Sequence, residues 1–155
     1  MNEASAESVT SSAATWTLRK RVLPQDTDYS GIMWHGAYVG WLEEARVETL
    51  SAVGIDYDKL SEEGISIPVV CLKLDYHQAL RHGDVVTLKS RLLPAVGVRL
   101  PWSCRIVDDE NRCLAEAQVD MVVVRRSGCQ MQVLRRPPEP LASCIARVRC
   151  GPAEG

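Results

Sequence analysis

Residues 24–54 read PQDTDYSGIMWHGAYVGWLEEARVETLSAVG, a polar turn that runs directly into a helix, and the reading of this join decides the fold. Turn chemistry sits in Asp26, Asp28, Ser30 and Gly31, residue types that bond their own backbone or tolerate left-handed geometry. From Tyr38 onward the core-side positions Tyr38, Leu42, Ala45, Thr49 and Val53 recur every three or four residues, with Glu43, Glu44, Arg46 and Glu48 between them. This is the period of an amphipathic helix of about four to five turns. Gly54 stops it.

Upstream, Trp16 to Leu23 alternates apolar with basic residues and predicts a first strand that Pro24 ends. Downstream, Asp56 to Glu63 predicts a short second helix with Gly64 behind it, after which helical periodicity disappears. Val69 to His77, Val85 to Leu93, Val98 to Val107 and Cys113 to Arg125 are rich in β-branched residues. The spacers between them are hairpin-sized, which predicts a four-strand antiparallel meander. Pro137, Pro138 and Pro140 open a tail expected to carry little regular structure. The domain reading is a disordered leader over 1–15, one domain over 16–136 and a tail over 137–155. One sheet with one long helix must bury the helix's apolar face against the sheet, an α+β arrangement. It leaves unpaired strand edges that a second copy of the chain can hide.

Composition narrows the function classes. A chain of 155 residues with 46% hydrophobic and 25% charged residues is sized for a single domain with its own core. No apolar run approaches the roughly 18 residues of a membrane helix. A formal net charge of −2 offers no overall attraction to nucleic acid or an anionic membrane. Arginines do crowd the last third, at 125, 126, 135, 136, 147 and 149, and read as solvated faces and a basic tail. Cysteines at 71, 104, 113, 129, 144 and 150 form no CxxC and have no histidine at ligand spacing, so no metal is expected. The Ser/Ala/Thr-rich start has neither a basic beginning nor an apolar core, which predicts a cytoplasmic protein with reduced thiols.

Spacing separates the chemistries open to the Asp-x-Asp turn. A calcium loop beginning at Asp26 requires a carboxylate at its twelfth position, which is Ala37. An aspartate-nucleophile phosphatase needs a large parallel sheet that this chain cannot build. No G-x-S-x-G elbow is present. A carboxylate just ahead of a helix N-terminus, whose free N–H groups favour a developing oxyanion, is a hydrolytic arrangement. On the motif alone the two aspartates serve equally well as caps of the turn, the commoner role for such residues.

Residues 24–38, followed by Glu43-Glu44-Ala45-Arg46, resemble the signature of the 4-hydroxybenzoyl-CoA thioesterase family and its bacterial acyl-CoA thioesterase relatives. The shared pattern is an Asp-x-Asp, a Gly with two apolar residues, an aromatic-His pair, a Tyr three residues on, and Glu-x-Ala-Arg on the helix. Weaker collinear similarity runs from Tyr76 to Asp84, where Arg81-His82-Gly83-Asp84 stands for the family's turn into the third strand, and through Leu114-Ala115-Glu116-Ala117, so that about residues 16–136 are covered. Ala79 departs from the proline usual before that turn.

The resemblance implies a hot-dog fold, a five-stranded antiparallel sheet wrapped around one long central helix. It implies hydrolysis of an acyl-CoA without a cofactor, by a homodimer or homotetramer. Asp28 takes the position of the catalytic carboxylate and His35 that of the residue whose backbone N–H holds the oxyanion. Asp26, Trp34 and Tyr38 fall at the substrate, and Arg99 near the phosphates of CoA. An aromatic acyl group is the first expectation and a short aliphatic one the alternative. A non-catalytic acyl-CoA binder is disfavoured by the presence of Asp28. A hydratase is disfavoured because Asp28 and His35 are seven apart with Ser30-Gly31 between them.

Overall fold

The computed structural model describes residues 14–153, so nearly all of the expected leader lies outside the described residues. The chain runs through β1 (Trp16–Arg21), a 3-10 turn (Pro24–Asp26), α1 (Ala37–Ala52), α2 (Tyr57–Glu62), β2 (Ile65–Ser66) and β3 (Val69–Tyr76). It continues through β4 (Val85–Leu92), β5 (Leu100–Val107), β6 (Cys113–Met121), β7 (Val124–Ser127), β8 (Gln130–Val133) and α3 (Leu141–Cys150). α1 buries Tyr38, Trp41, Leu42, Ala45, Arg46, Thr49 and Leu50, the three-and-four spacing of one helix face. It ends as expected: Gly54 adopts φ +87°, a conformation costly for any residue with a Cβ. α2 begins on the Asp56 side chain, which accepts from the Asp58 N–H at 2.9 Å.

Five strands form an antiparallel sheet in the order β1-β4-β5-β6-β3. Its inner face is built in cross-strand rows. Leu88 stands opposite Ile106, which stands opposite Ala115, and Trp102 stands opposite Val119. These residues share one core with the buried face of α1, and each large side chain removed from water contributes about 1.5–3 kcal/mol. A smaller sheet, β2-β7-β8, lies beside it.

Three expectations change. The four strands are not a meander, because β3 crosses to the far edge and pairs with β6 while β1 takes the place beside β4. The short spacer between β3 and β4 is occupied instead in holding the loop after β1, as described below. The predicted strand Cys113 to Arg125 breaks after Met121, where the Val122 N–H turns to the Pro68 carbonyl at 3.1 Å. The remainder forms β7, which joins the second sheet. The tail is not irregular either. α3 buries Leu141, Cys144, Ile145 and Val148, and it is fastened where the Trp16 indole N–H donates to the Val148 carbonyl at 2.9 Å and Arg147 to the Val53 carbonyl at 2.7 Å.

Candidate active site

The loop between β1 and α1 folds into a narrow double-stranded finger. The Trp34 N–H donates to the Asp26 carbonyl at 2.8 Å, the Asp28 N–H donates to the Ile32 carbonyl at 2.8 Å, and Thr27 bridges Met33. Gly31, at φ +75°, makes the reversal. The finger rests on the turn before β4, where the Met33 N–H donates to the Leu80 carbonyl at 2.8 Å and Ile32 bridges Arg81. That turn is held by the Asp84 carboxylate, which accepts from the Arg81 N–H at 2.8 Å. The Arg81-His82-Gly83-Asp84 motif thus works as a seat for the finger.

Asp28 stands at the tip of the finger, exposed in the single chain. Its Oδ1 accepts from the N–H groups of Ser30 at 2.8 Å and Ile32 at 3.3 Å. Among the described residues its Oδ2 has no donor, so one oxygen orients the group and the other is open. Asp26 differs: its Oδ2 accepts from the Leu23 N–H at 2.9 Å, which engages it in loop geometry. The helix start is open too, since Gly36 at the N-cap offers α1 no side-chain cap. The N–H groups of His35 and Gly36 donate to no acceptor among the described residues. Such groups at the positive end of a helix dipole suit a developing negative charge.

Trp34 is 52% exposed, and its indole lies across Gly36, where any Cβ would overlap the ring. The exposed His35 ring sits 5.1 Å from it. Tyr38 does not meet the expectation of substrate contact. It is 2% exposed, packed edge-on at 5.0 Å from Tyr76, and belongs to the floor under the loop. Burial raises its pKa first and the neighbouring Tyr76 second, against a lowering hydrogen bond to the Leu80 backbone.

Arg99 is likewise not beside Asp28 within one chain. It lies just before β5, at the opposite end of β4 from the finger's seat, about 25 Å away at the ~3.3 Å rise of a strand. Its Nη1 meets the Asp120 carboxylate at 3.1 Å. Glu43 is paired with Arg46. One residue of the site had no role assigned from sequence. The Tyr76 hydroxyl donates to the His35 carbonyl at 2.6 Å, and burial raises its pKa. The only sequence signal for it was its place at the head of the weakly similar stretch that ends in Asp84.

A loop that presents a half-free carboxylate ahead of uncapped helix N–H groups, seated on a sheet that wraps one helix, is an arrangement suited to hydrolysis on a hot-dog scaffold. The profile of the thioesterase-like superfamily matches residues 22–143. A putative esterase of Synechocystis sp. is 40% identical over 131 residues, covering 83% of this chain and 77% of that one. The acyl-CoA thioester hydrolase YbgC of Escherichia coli is 32% identical over 104 residues, covering 67% of this chain and 78% of that one. The solved structure of a 1,4-dihydroxy-2-naphthoyl-CoA thioesterase from Synechocystis superposes with a TM-score of 0.74 at 22% identity, covering 85% of this chain and 96% of that one. The chain belongs to the thioesterase-like superfamily.

Proposed function

We propose that the protein is a cytoplasmic acyl-CoA thioesterase in which Asp28 drives hydrolysis and the backbone at His35 and Gly36 holds the oxyanion. The observation that carries this reading is the divided carboxylate of Asp28, one oxygen fixed by two backbone N–H groups and the other unengaged among the described residues. In the reaction the oxygen of water ends on the acyl carbon and the carbon–sulfur bond breaks. The thiolate of CoA leaves and takes up a proton. Charge builds on the carbonyl oxygen meanwhile, and preorganised N–H donors stabilise it without reorganising. Tyr76 acts as a positioning residue, because its bond to the His35 carbonyl fixes the peptide that follows.

The acyl group we assign is aromatic. The exposed indole of Trp34, whose ring neighbours that of His35, and the half-exposed ring of Tyr76, whose hydroxyl meets the His35 carbonyl, offer apolar surfaces near the loop, which suits offset or edge stacking with a ring. The relative named as a 1,4-dihydroxy-2-naphthoyl-CoA thioesterase agrees with this choice.

The working unit is a dimer or a multiple of one. β3 is an edge strand whose Val69, Val70, Leu72 and Tyr76 are all more than 40% exposed, an apolar edge of a kind that soluble chains cover. Antiparallel pairing of two β3 strands sets the Val69 end of one protomer beside the Tyr76 end of the other. Arg99 lies toward that Val69 end, because Leu100 and Val69 both pair with Met121. Arg99 of one protomer then serves the CoA phosphates bound at the other's site.

The test is a panel of aryl- and alkyl-CoA thioesters with detection of released thiol, run on the native chain and on Asp28→Asn. The expected result is turnover, fastest on aryl substrates, and a fall in kcat of about 10²–10⁴ in the variant. Absence of thiol release across the panel would remove the function, and an unimpaired Asp28→Asn would remove the assignment of the residue.

A further inference from the structure

His77, Cys113 and Glu116 each place one donor atom within 4.8 Å of the others. The cluster starts one residue beyond Tyr76 and, by strand alternation, lies on the opposite face of the sheet from it. They are brought there by an irregularity in β6. Residues three apart on a regular strand point to opposite faces, which would separate Cys113 from Glu116. Here the β5–β6 register jumps, with Ile106 opposite Ala115 but Val107 opposite Cys113, so Leu114 is the extra residue of a bulge. Leu114 and Ala115 are consequently buried side by side, at 6% and 0% exposure. Cys113 is turned to the face that carries Glu116. His77 arrives from the end of β3, where its N–H donates to the Leu114 carbonyl at 2.9 Å. All three donors therefore stand on a hydrogen-bonded ladder.

We propose that these three side chains form a binding site for a zinc-class divalent cation, with a fourth position open to water. A thiolate, an imidazole and a carboxylate are the donor types that zinc takes, at bond lengths of about 2.0–2.3 Å. For a tetrahedron with ~2.1 Å bonds to nitrogen and oxygen, the N···O edge is about 3.4 Å. The His77 Nε2 to Glu116 Oε1 distance is 3.4 Å. The sulfur of Cys113, 3.3 Å from the Ala115 carbonyl, already lies within 4.8 Å of the other two donors. Asp75 lies directly across from Glu116 and adds negative charge on one side, although Lys73 sits 3.7 Å from it. Arg105 stands across from Glu116 on the other side and forms no ion pair with it among the described residues. His77 lies far along the chain from Cys113 and Glu116, which is why spacing did not reveal the cluster. Placed between the edge strand and its neighbour, a bound ion would clip the end of β3 to the start of β6. Edge-to-edge pairing of β3 uses in-plane backbone groups and does not itself cover this face.

Cobalt(II) is the probe, because a cysteine ligand gives it a thiolate-to-metal charge-transfer band. The titration uses chelator-stripped full-length protein in which the exposed Cys71, Cys129 and Cys150 are replaced by serine, so that Cys113 is the remaining non-buried thiol. The expected result is one equivalent bound with the charge-transfer band, bleached by one equivalent of zinc. Cys113→Ser should abolish the band, and His77→Gln should weaken binding by at least the ~10–100-fold typical of losing even an outer partner. No band in the parent protein, or a band unchanged by Cys113→Ser, would overturn the proposal. His77 is exposed, so His77→Gln keeps the fold if Cys113→Ser does not, and unchanged affinity in that variant would overturn it equally.

Discussion

The hydroxyl of Tyr76 connects the edge strand to the start of α1 through a single bond to the His35 carbonyl. Replacing it by Phe removes that bond and little else. A net hydrogen bond is worth about 0.5–1.5 kcal/mol, so Tyr76→Phe should lower kcat roughly 2–10-fold with KM nearly unchanged; a steady-state comparison that found kcat intact would show that the peptide is positioned without it. A second residue sets a pH limit. Burial pushes the Cys104 thiol up from 9.0 to about 11. The neutral thiol's contribution is complete below pH 9 and disappears as pH rises toward 11, because the unfolded chain ionises first. That loss is on the order of 2–3 kcal/mol. Urea midpoints measured from pH 8 to 11 should fall less steeply for Cys104→Ala than for the native chain, and parallel curves would contradict the assignment. The turn that carries Asp28 was legible in the sequence because it is built from adjacent residues. Tyr38 was misjudged as a substrate contact, although it heads the same stripe of Tyr38, Leu42 and Ala45 that α1 buries. Periodicity had already placed it in the core. Tyr76 escaped because its partner lies 41 residues away.

Among the elements, α3 shows how punctuation can mask a pattern. Leu141, Cys144, Ile145 and Val148 follow the three-and-four rule of a buried helix face, yet the prolines before them suggested an unstructured tail. Pro140 occupies the N-cap position and so begins the helix where it was expected to prevent one. The helix is part of the core, so Ile145→Ala should cost about 2–5 kcal/mol. A chemical-denaturation midpoint close to that of the native chain would mean that α3 merely lies on the surface. The strands teach a complementary lesson. Each was legible as a β-branched run, but their order was not, because pairing between distant segments leaves no local trace. A spacer short enough for a hairpin permits one without requiring it. Here the Leu80–Asp84 stretch supports the loop after β1, and β3 is free to cross the sheet.

For the whole molecule, the uncovered β3 edge is the dominant feature. Light scattering at micromolar concentration should give at least twice the 17.1 kDa chain mass, and Leu72→Lys, which places a charge on that edge, should shift the mass toward one chain and reduce activity with it. A fully active monomer would contradict both the pairing and a site shared between protomers. Arg99→Ala should raise KM for a full CoA thioester and hardly change it for a pantetheine thioester that lacks the nucleotide phosphates. An equal effect on both would mean that its contact with Asp120 only supports the sheet. Trp34 also has a practical consequence. Trp41 and Trp102 are 4% and 1% exposed and Trp16 is partly buried against the core, whereas Trp34 is 52% exposed and lies in the loop that carries Asp28. Its emission is therefore the component that iodide will quench most, and an acyl group settling over it will shield it from the quencher, giving an optical signal of occupancy without any added label.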